Sequence, residues 1–308
     1  MAGAAQDTLP LRPLTVGEVL DTATALLRRE AAALLPAAAV LAVAEQAVLY
    51  PLRLAAGTVP PSYLPPGGPS WVFWLLIGAG LGTETVIVTG LGALAGRAAV
   101  PVLLDRPRSS RGGTRAGPLA LLALVLGAVA GLAAVAGLLP WLAWYLFTGL
   151  AGPALLVDRV AAPAAGGGPG LARVPVSPLA ALGRSFALVG RAGLRPGGIR
   201  LLGVLAWMAI RLALGLAAAA LLLAVLPAGS RTAQGLLTVA AFTLVNTIAY
   251  ATLGCLDVVL LVETRVRVEG LDIAVARARS RGLPVDPTLV VPGRVARRSP
   301  AAANQELP

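Results

Sequence analysis

Four polar residues lie inside long apolar stretches and are the first candidates for chemistry. They are Glu45, Glu84, Arg211 and Asn246. Counting residues from the ends of those stretches places each of them within a turn or two of the middle of a bilayer. An ionisable side chain at that depth is costly and is often functional. Since arginine stays protonated in proteins, we expect Arg211 to pair with Glu84 or Glu45, or to face a water-filled pocket.

Two interpretations of these four residues remain open. In the first, they form a polar cavity for a ligand, an ion or a proton relay. In the second, a charge pair sets the register between helices and does nothing else. Neither interpretation identifies a substrate.

The composition of the chain narrows its class. Of 308 residues, 57% are hydrophobic and only 13% are charged, and the mean hydropathy is +0.82. That charged share is about half of what a soluble domain carries. Several apolar stretches are continuous and reach the length that a membrane-spanning helix needs, which disfavours a β-barrel. The composition therefore predicts an all-α polytopic membrane protein.

Most catalytic and metal-binding chemistry lacks its residues in this chain. There is no histidine, and Cys255 is the single cysteine, so common general bases, zinc sites, haem ligands and disulfides are disfavoured. Ser185 has neither a nucleophile-elbow sequence nor a histidine partner. We therefore expect no enzymatic activity, no catalytic residue, no cofactor and no metal.

The basic residues indicate a membrane surface as partner. All 25 are arginines, and most lie in connections between apolar stretches. This pattern predicts contact with anionic lipid headgroups, and a membrane protein partner remains possible, whereas nucleic-acid binding is disfavoured.

The apolar stretches predict six transmembrane helices arranged as three hairpins. Their approximate bounds are 31–53, 71–104, 118–139, 141–157, 198–226 and 234–262. A tight turn is expected at Pro140. The arginines concentrate in alternate connections, which predicts a multi-pass protein of a bacterial cytoplasmic membrane with both termini in the cytoplasm. We expect residues 1–13 to be a disordered lead, 14–276 the membrane domain and 277–308 a basic, disordered tail.

Each hairpin is expected to follow a cytoplasmic interfacial segment. Residues 15–29 begin with a capping box formed by Thr15 and Glu18 and continue as an amphipathic surface helix. They align without gaps on residues 177–191, and residues 109–117 would be a degenerate middle copy. The alignment suggests three repeats in one orientation, although similarity this short also arises by chance in so biased a composition.

Three glycine pairs predict close helix packing. The G-x-x-x-G pattern occurs at 78–82, 92–96 and 127–131. Such small faces on the second and third spans would allow close antiparallel backbone contact. General glycine and alanine richness is the alternative explanation.

Three short motifs carry a resemblance to a known family. Residues 11–21 read LRPLTVGEVLD, residues 181–185 read ALGRS and residues 261–272 read LVETRVRVEGLD. They resemble the opening, surface-helix and closing motifs of a mostly actinobacterial integral membrane protein family. That family is named after the glycerophosphoryl diester phosphodiesterase membrane domain. The matching polar positions are Glu18, Asp21, Arg184, Ser185, Glu263, Arg265, Arg267, Glu269 and Asp272.

The family name implies a phosphodiesterase, but this chain departs from that activity. The enzyme domain to which such a region can be attached uses histidines and carboxylates around a metal, and this chain has no histidine. Leu261 and Glu263 also replace the tyrosine and aspartate of the family motif. We therefore expect a scaffold or accessory subunit of the membrane. The alternative is a small transporter or channel that uses Glu84, Arg211 and Asn246, and an intramembrane enzyme is the least supported class.

Overall fold

The computed structural model describes residues 9–58, 70–103, 116–163, 171–226 and 229–282. Its elements, in chain order, are α1 (Val16–Ala56), α2 (Trp71–Leu103), α3 (Ala116–Ala136), α4 (Leu138–Thr148), α5 (Ala151–Val157), β1 (Arg159–Pro163), β2 (Leu171–Pro175), α6 (Pro178–Arg191), α7 (Arg195–Val225), α8 (Arg231–Glu269) and α9 (Leu271–Ser280). The fold is all-α and polytopic, with one antiparallel two-stranded hairpin, β1–β2, between α5 and α6.

Within the described residues, six helical segments are long and apolar enough to cross a membrane. They are α1, α2, α3, α4 together with α5, α7 and α8, which confirms the predicted number of spans. Consecutive spans run in opposite directions and form three hairpins. We call the end where α1–α2, α3–α4 and α7–α8 connect the tip end, and the opposite end the base end.

Helix α8 is the central helix of the bundle. It packs along α1, α2 and α7, and residues 249–265 are buried without interruption. Helix α7, by contrast, leaves most of its large apolar side chains exposed, among them Leu205, Leu214 and Leu221. An apolar surface of that kind is what a helix at the lipid boundary presents.

The expected glycine packing occurs between α2 and α3. A Cβ atom added to Gly82 would lie 2.9 Å from the Gly127 carbonyl oxygen, and one added to Gly131 would lie 2.8 Å from that of Gly78. The two backbones therefore touch at both pairs, as small-residue faces permit. The pair at 92–96 instead faces α5 and α8, since a Cβ on Gly92 would meet Gly254 and Pro153.

Two local expectations are corrected. The segment 15–29 is not a separate surface helix, because α1 continues through it from Val16 to Ala56. No helix-breaking residue separates the amphipathic part from the apolar part. The turn between α3 and α4 is made by Gly137, whose φ of 140° is available to glycine, and Pro140 sits in the first turn of α4, where proline is tolerated.

The ends of the packed domain also differ from the expected bounds. Leu9 and Leu14 are buried against the bundle, so packing begins before residue 14. At the other end, α9 reaches Ser280, beyond residue 276. The remainder of the expected lead and tail, and most of the expected middle segment 109–117, lie outside the described residues.

Candidate functional site

A cavity lies between α1, α2, α7 and α8. Its volume is about 490 Å³, within the range typical of small-molecule sites. The polar side chains in its wall are Glu45, Gln46, Arg53, Glu84, Arg211 and Asn246. All four mid-bilayer candidates from the sequence therefore face one cavity.

The cavity reaches deep into the bundle from the tip end. Thr58 and Phe73, which lie beside the α1–α2 connection, form part of its wall. Glu45 stands eleven residues before the end of α1, which corresponds to about 16 Å along the helix. Glu84 stands thirteen residues after the start of α2, or about 20 Å. The acidic groups therefore lie near the middle of a bilayer about 30 Å thick.

Glu84 and Arg211 form a bidentate ion pair. Arg211 donates from Nη1 to Glu84 Oε2 at 3.0 Å and from Nη2 to Oε1 at 3.4 Å. The two side chains are 13% and 12% exposed. Arg211 also lies 5.5 Å from the centre of the Tyr250 ring. The pair thus joins α2 to α7 at the wall of the cavity. Arg211 therefore both pairs with Glu84 and faces the cavity.

Glu45 has a different environment from Glu84. It is 4% exposed, and Tyr250 donates its hydroxyl to Glu45 Oε2 at 2.7 Å. The Thr83 hydroxyl lies 3.1 Å from Oε1, and the Gln46 amide lies at the limit of hydrogen bonding, 3.5 Å from Oε2. Among the described residues, no arginine forms an ion pair with Glu45.

Asn246 offers an unused amide to the cavity. Its side chain is 9% exposed and faces the cavity. It makes no hydrogen bond to any other residue in the described ranges. Buried amides are normally satisfied by protein or by water, so this group is available to water or to a ligand.

Most of the motif positions lie far from this cavity, in ion pairs at the base end. Arg184 of α6 and Arg265 of α8 both bind Asp158 and Glu269. The Asp158 carboxylate accepts from Arg184 Nε at 2.9 Å and from Arg265 Nη1 at 2.8 Å. Glu269 accepts from Arg184 Nη2 at 2.7 Å and from Arg265 Nε at 3.2 Å. We call these four residues the base cluster.

The base cluster is closed to solvent. Asp158 is fully buried, and the Arg265 and Glu269 side chains are 3% and 2% exposed. Burial alone would lower the pKa of Arg184, but its contacts with Glu269 and Asp158 outweigh this and raise the pKa above its ordinary value. The four charges cancel and join α6, α8 and the end of α5.

A second group of ion pairs secures the segment before α1. Glu263 accepts from Arg195 at 2.6 Å and also binds Arg267. Both arginines donate to the Leu14 carbonyl oxygen, each at 2.8 Å. The closing motif of the sequence therefore connects α7, α8 and the N-terminal segment.

The other motif residues have local structural contacts. Ser185 is fully buried, and its hydroxyl donates to the Phe147 carbonyl at 2.6 Å. Glu18 completes the predicted capping box with Thr15 and binds Arg12 at 2.5 Å. Asp21 is exposed on α1, and Asp272 lies in the first turn of α9. These contacts stabilise helix ends and packing.

Sequence reasoning missed several of the partners. Asp257 binds Arg200 at 2.7 Å, a pair that the sequence did not indicate. Arg200 also donates to the Tyr145 carbonyl at 2.6 Å and stacks on that ring, 3.8 Å from its centre. Asp158 lies just after α5, outside the three motifs, and accepts hydrogen bonds from two of the motif arginines, Arg184 and Arg265. Tyr250 and Thr83 gave no sequence signal as partners of Glu45.

No family model, curated protein or solved structure matches this chain. Among the described residues, no group of three or more His, Cys, Asp and Glu side chains could hold a metal ion. The fold defines a polytopic helical membrane protein. The cavity between α1, α2, α7 and α8 is its candidate site.

Proposed function

We propose that this protein binds a small molecule within the membrane and acts as a small transporter or ligand-binding subunit. The observation that carries the proposal is the cavity of about 490 Å³, which presents an unpartnered amide and a carboxyl at bilayer depth. A bundle built only as a scaffold could use the Glu84–Arg211 pair to fix helix register, but it would have no use for the unpartnered amide or for a carboxyl without an ion pair among the described residues, because each is costly in an apolar setting.

The ligand class follows from the cavity wall. Apolar side chains such as Phe73, Met208 and Leu212 line much of it, and its polar side chains extend from Arg53, in the last turn of α1, to the carboxyls at bilayer depth. Leu212 and Met208 also belong to the exposed apolar surface of α7. These features favour an amphiphilic molecule with a largely apolar body and one or two hydrogen-bonding groups.

Cysteine reactivity tests whether the cavity contains water. In a Cys255→Ala background, Leu212→Cys lies in the cavity wall, and Leu214→Cys lies at nearly the same depth but among exposed apolar residues. A charged, membrane-impermeant thiol reagent should modify Leu212→Cys in intact membranes and leave Leu214→Cys unmodified. Equal reactivity of the two positions would contradict a water-accessible cavity.

A plug variant tests ligand binding. Gly80 lies in the cavity wall, and a Cβ there would meet only Leu49 at 4.0 Å, so Gly80→Phe should fill the cavity without displacing backbone. Gly90→Phe, on the same helix and with nothing within 4 Å of a Cβ, is the matched control. Small molecules that co-purify with the protein, identified by mass spectrometry, should be lost in Gly80→Phe and retained in Gly90→Phe. Retention in both variants would overturn the proposal.

A scaffold or accessory role is the second candidate. Exposed arginines at the base end, among them Arg277 and Arg281 beside α9, favour contact with anionic headgroups or a membrane protein partner. Under this proposal the protein lies in a bacterial cytoplasmic membrane with both termini in the cytoplasm. It also belongs to the family whose motifs the chain resembles. Replacing Arg277 and Arg281 with Gln should lower the share of anionic lipid that co-purifies, and an unchanged share would contradict the role.

We also propose that the chain is not an enzyme. Ser185, the candidate nucleophile of the sequence, is buried and donates its proton to a backbone carbonyl. A hydroxyl used in this way has no general base and no access to a substrate.

A further inference from the structure

We propose that Glu45 is a proton-binding site of the cavity, and that the ligand is handled together with a proton exchanged at this carboxyl. The second half of the proposal rests on the proposed function, whereas the first half stands on the geometry of Glu45. Glu84, the other carboxyl of the cavity, is the partner of Arg211 in a bidentate ion pair. The same cavity thus holds two carboxyl groups with different roles.

The first argument is the contrast in ion pairing. Glu84 has a bidentate arginine, while Glu45 is buried with no arginine paired to it among the described residues. An ionised carboxylate without a direct cation is strongly disfavoured in an apolar interior, and the usual response is to bind a proton.

The second argument is the number of protons available for hydrogen bonds. Thr83 has one hydroxyl proton, and its oxygen lies 2.8 Å from the Ala79 carbonyl of its own helix and 3.1 Å from Glu45 Oε1. When the hydroxyl donates to Ala79, as threonine commonly does in helices, the contact to Oε1 needs a proton from Glu45. Tyr250 meanwhile donates to the other oxygen, Oε2. A neutral Glu45 satisfies every one of these contacts.

The same contacts also accept the ionised form. If Thr83 turns its hydroxyl towards Glu45, both carboxylate oxygens receive a hydrogen bond, one from Thr83 and one from Tyr250. The rotation of one hydroxyl therefore serves both protonation states. A site that accommodates both states can take up and release a proton without rearranging its helices.

Charged and titratable neighbours from every surrounding helix determine whether Glu45 is protonated or ionised. From α2 Glu84 opposes ionisation of Glu45, and from α7 Arg211 favours it, although Arg211 is bound to Glu84. Tyr250 of α8 is a donor to either form. On α1 itself, Arg53 binds Gln46 Oε1 at 2.5 Å, and Gln46 in turn lies next to Glu45. Glu84 and Arg211 cancel each other's charge, so the proton on Glu45 is the variable charge in the mid-bilayer part of the cavity.

Ligand binding to the cavity and protonation of Glu45 must then influence each other. A ligand that donates a hydrogen bond or carries positive charge stabilises the ionised form and displaces the proton, and a ligand that accepts a hydrogen bond retains it. By linkage, pH alters the affinity for the ligand by the same factor that the ligand alters the affinity for the proton.

The experiment uses dicyclohexylcarbodiimide, a membrane-soluble reagent, on the full chain in detergent or nanodiscs. A protonated carboxylic acid adds across the C=N bond of the reagent, its oxygen bonding to carbon and its proton passing to nitrogen, whereas the ionised carboxylate lacks that proton. Peptide mass spectrometry should find the adduct on Glu45 and not on Glu84. Its yield should fall by about tenfold or more as the pH rises from about 6 to about 9.

Controls separate this inference from the proposed function. Glu45→Gln should abolish the adduct while preserving the size of the side chain, and the variant's melting temperature reports that it folds. An adduct on Glu84 instead of Glu45, no adduct on Glu45, or a yield that ignores pH would overturn the proton site. Labelling of Glu45 combined with an unreactive Leu212→Cys would retain the proton site and reject the ligand cavity. A reactive Leu212→Cys combined with no labelling of Glu45 would retain the cavity and reject the proton site.

Discussion

The base cluster and the mid-membrane cavity contain the same residue types, carboxylates and arginines, but pair them differently. At the base, Asp158 and Glu269 each contact both Arg184 and Arg265, so all four charges are shared. The side chains of Asp158, Glu269 and Arg265 are buried, and the Arg184 side chain is 13% exposed. In the cavity, Glu84 has one arginine, Glu45 has none paired to it among the described residues, and Asn246 has an unused amide. The first region is closed and saturated, and the second retains unused hydrogen-bonding capacity beside open space.

The difference shows which polar residues are structural and which are available. A saturated ion cluster holds helices in one arrangement, because removing any member leaves a buried charge. A partly satisfied group beside a cavity can exchange a protein contact for a ligand or water at little cost. The motif positions that draw attention in the sequence fall in the first class, and the isolated polar residues of the apolar stretches fall in the second.

The largest expected effect is the loss of Asp158. Asp158→Asn should lower the free energy of unfolding by about 3–5 kcal/mol, because two buried guanidiniums lose their shared anion. Unfolding by denaturant or heat in detergent measures the change. The matched control is Arg12→Gln, whose pair with Glu18 is exposed, so this variant should unfold almost as the unchanged protein does. Equal effects of the two variants would contradict the contrast between base and surface pairs.

A smaller effect is expected at the cavity pair. Glu84→Gln should cost about 1–2 kcal/mol, since Arg211 loses an ionic partner but remains beside a cavity that water can enter. We further expect Arg211 to turn towards Glu45 and favour its ionised form. Carbodiimide labelling of Glu45 should therefore fall in Glu84→Gln, and an unchanged yield would show that Arg211 does not reach it.

Removing a local hydrogen bond at the base end should lower the free energy of unfolding less than either ion-pair substitution. Ser185→Ala removes the 2.6 Å bond to the Phe147 carbonyl and leaves that oxygen unsatisfied in a buried site, which should cost about 1 kcal/mol. Ser280→Ala removes an exposed bond to the Arg277 carbonyl and should change stability by less than about 0.5 kcal/mol. Because Ser185 lies outside the cavity, its variant should leave Leu212→Cys reactivity unchanged.

Much of the fold follows from local pattern in the sequence. Continuous apolar stretches predicted the six spans, depth counting brought Glu84 and Arg211 together, and the glycine pairs predicted the contact of α2 with α3. These features depend on length, depth and spacing, which one sequence contains. Assigning the turn to Pro140 was wrong because proline is tolerated in the first turn of a helix, and Gly137 supplied the required positive φ.

The partner assignments could not be predicted in the same way. Asp158 meets Arg184 across 26 residues and Arg265 across 107 residues, and Tyr250 meets Glu45 across 205. Which acid meets which arginine depends on how the helices pack, and an arginine-rich chain offers many alternatives. The motif residues were recognised as important from their resemblance, but the mutual pairing of Arg184, Arg265 and Glu269 in the base cluster required the tertiary structure.

The sharpest comparison is between two identical substitutions in one cavity. Glu45→Gln should lower the free energy of unfolding clearly less than Glu84→Gln does. A glutamine amide can accept the Tyr250 hydroxyl through its oxygen and donate to Thr83 through its nitrogen, as a protonated Glu45 would. An ionised Glu45, by contrast, would lose charge-assisted hydrogen bonds on the same substitution. Similar losses of stability in the two variants, measured by unfolding in detergent at neutral pH, would therefore show that both carboxyls are ionised and that Glu45 carries no proton.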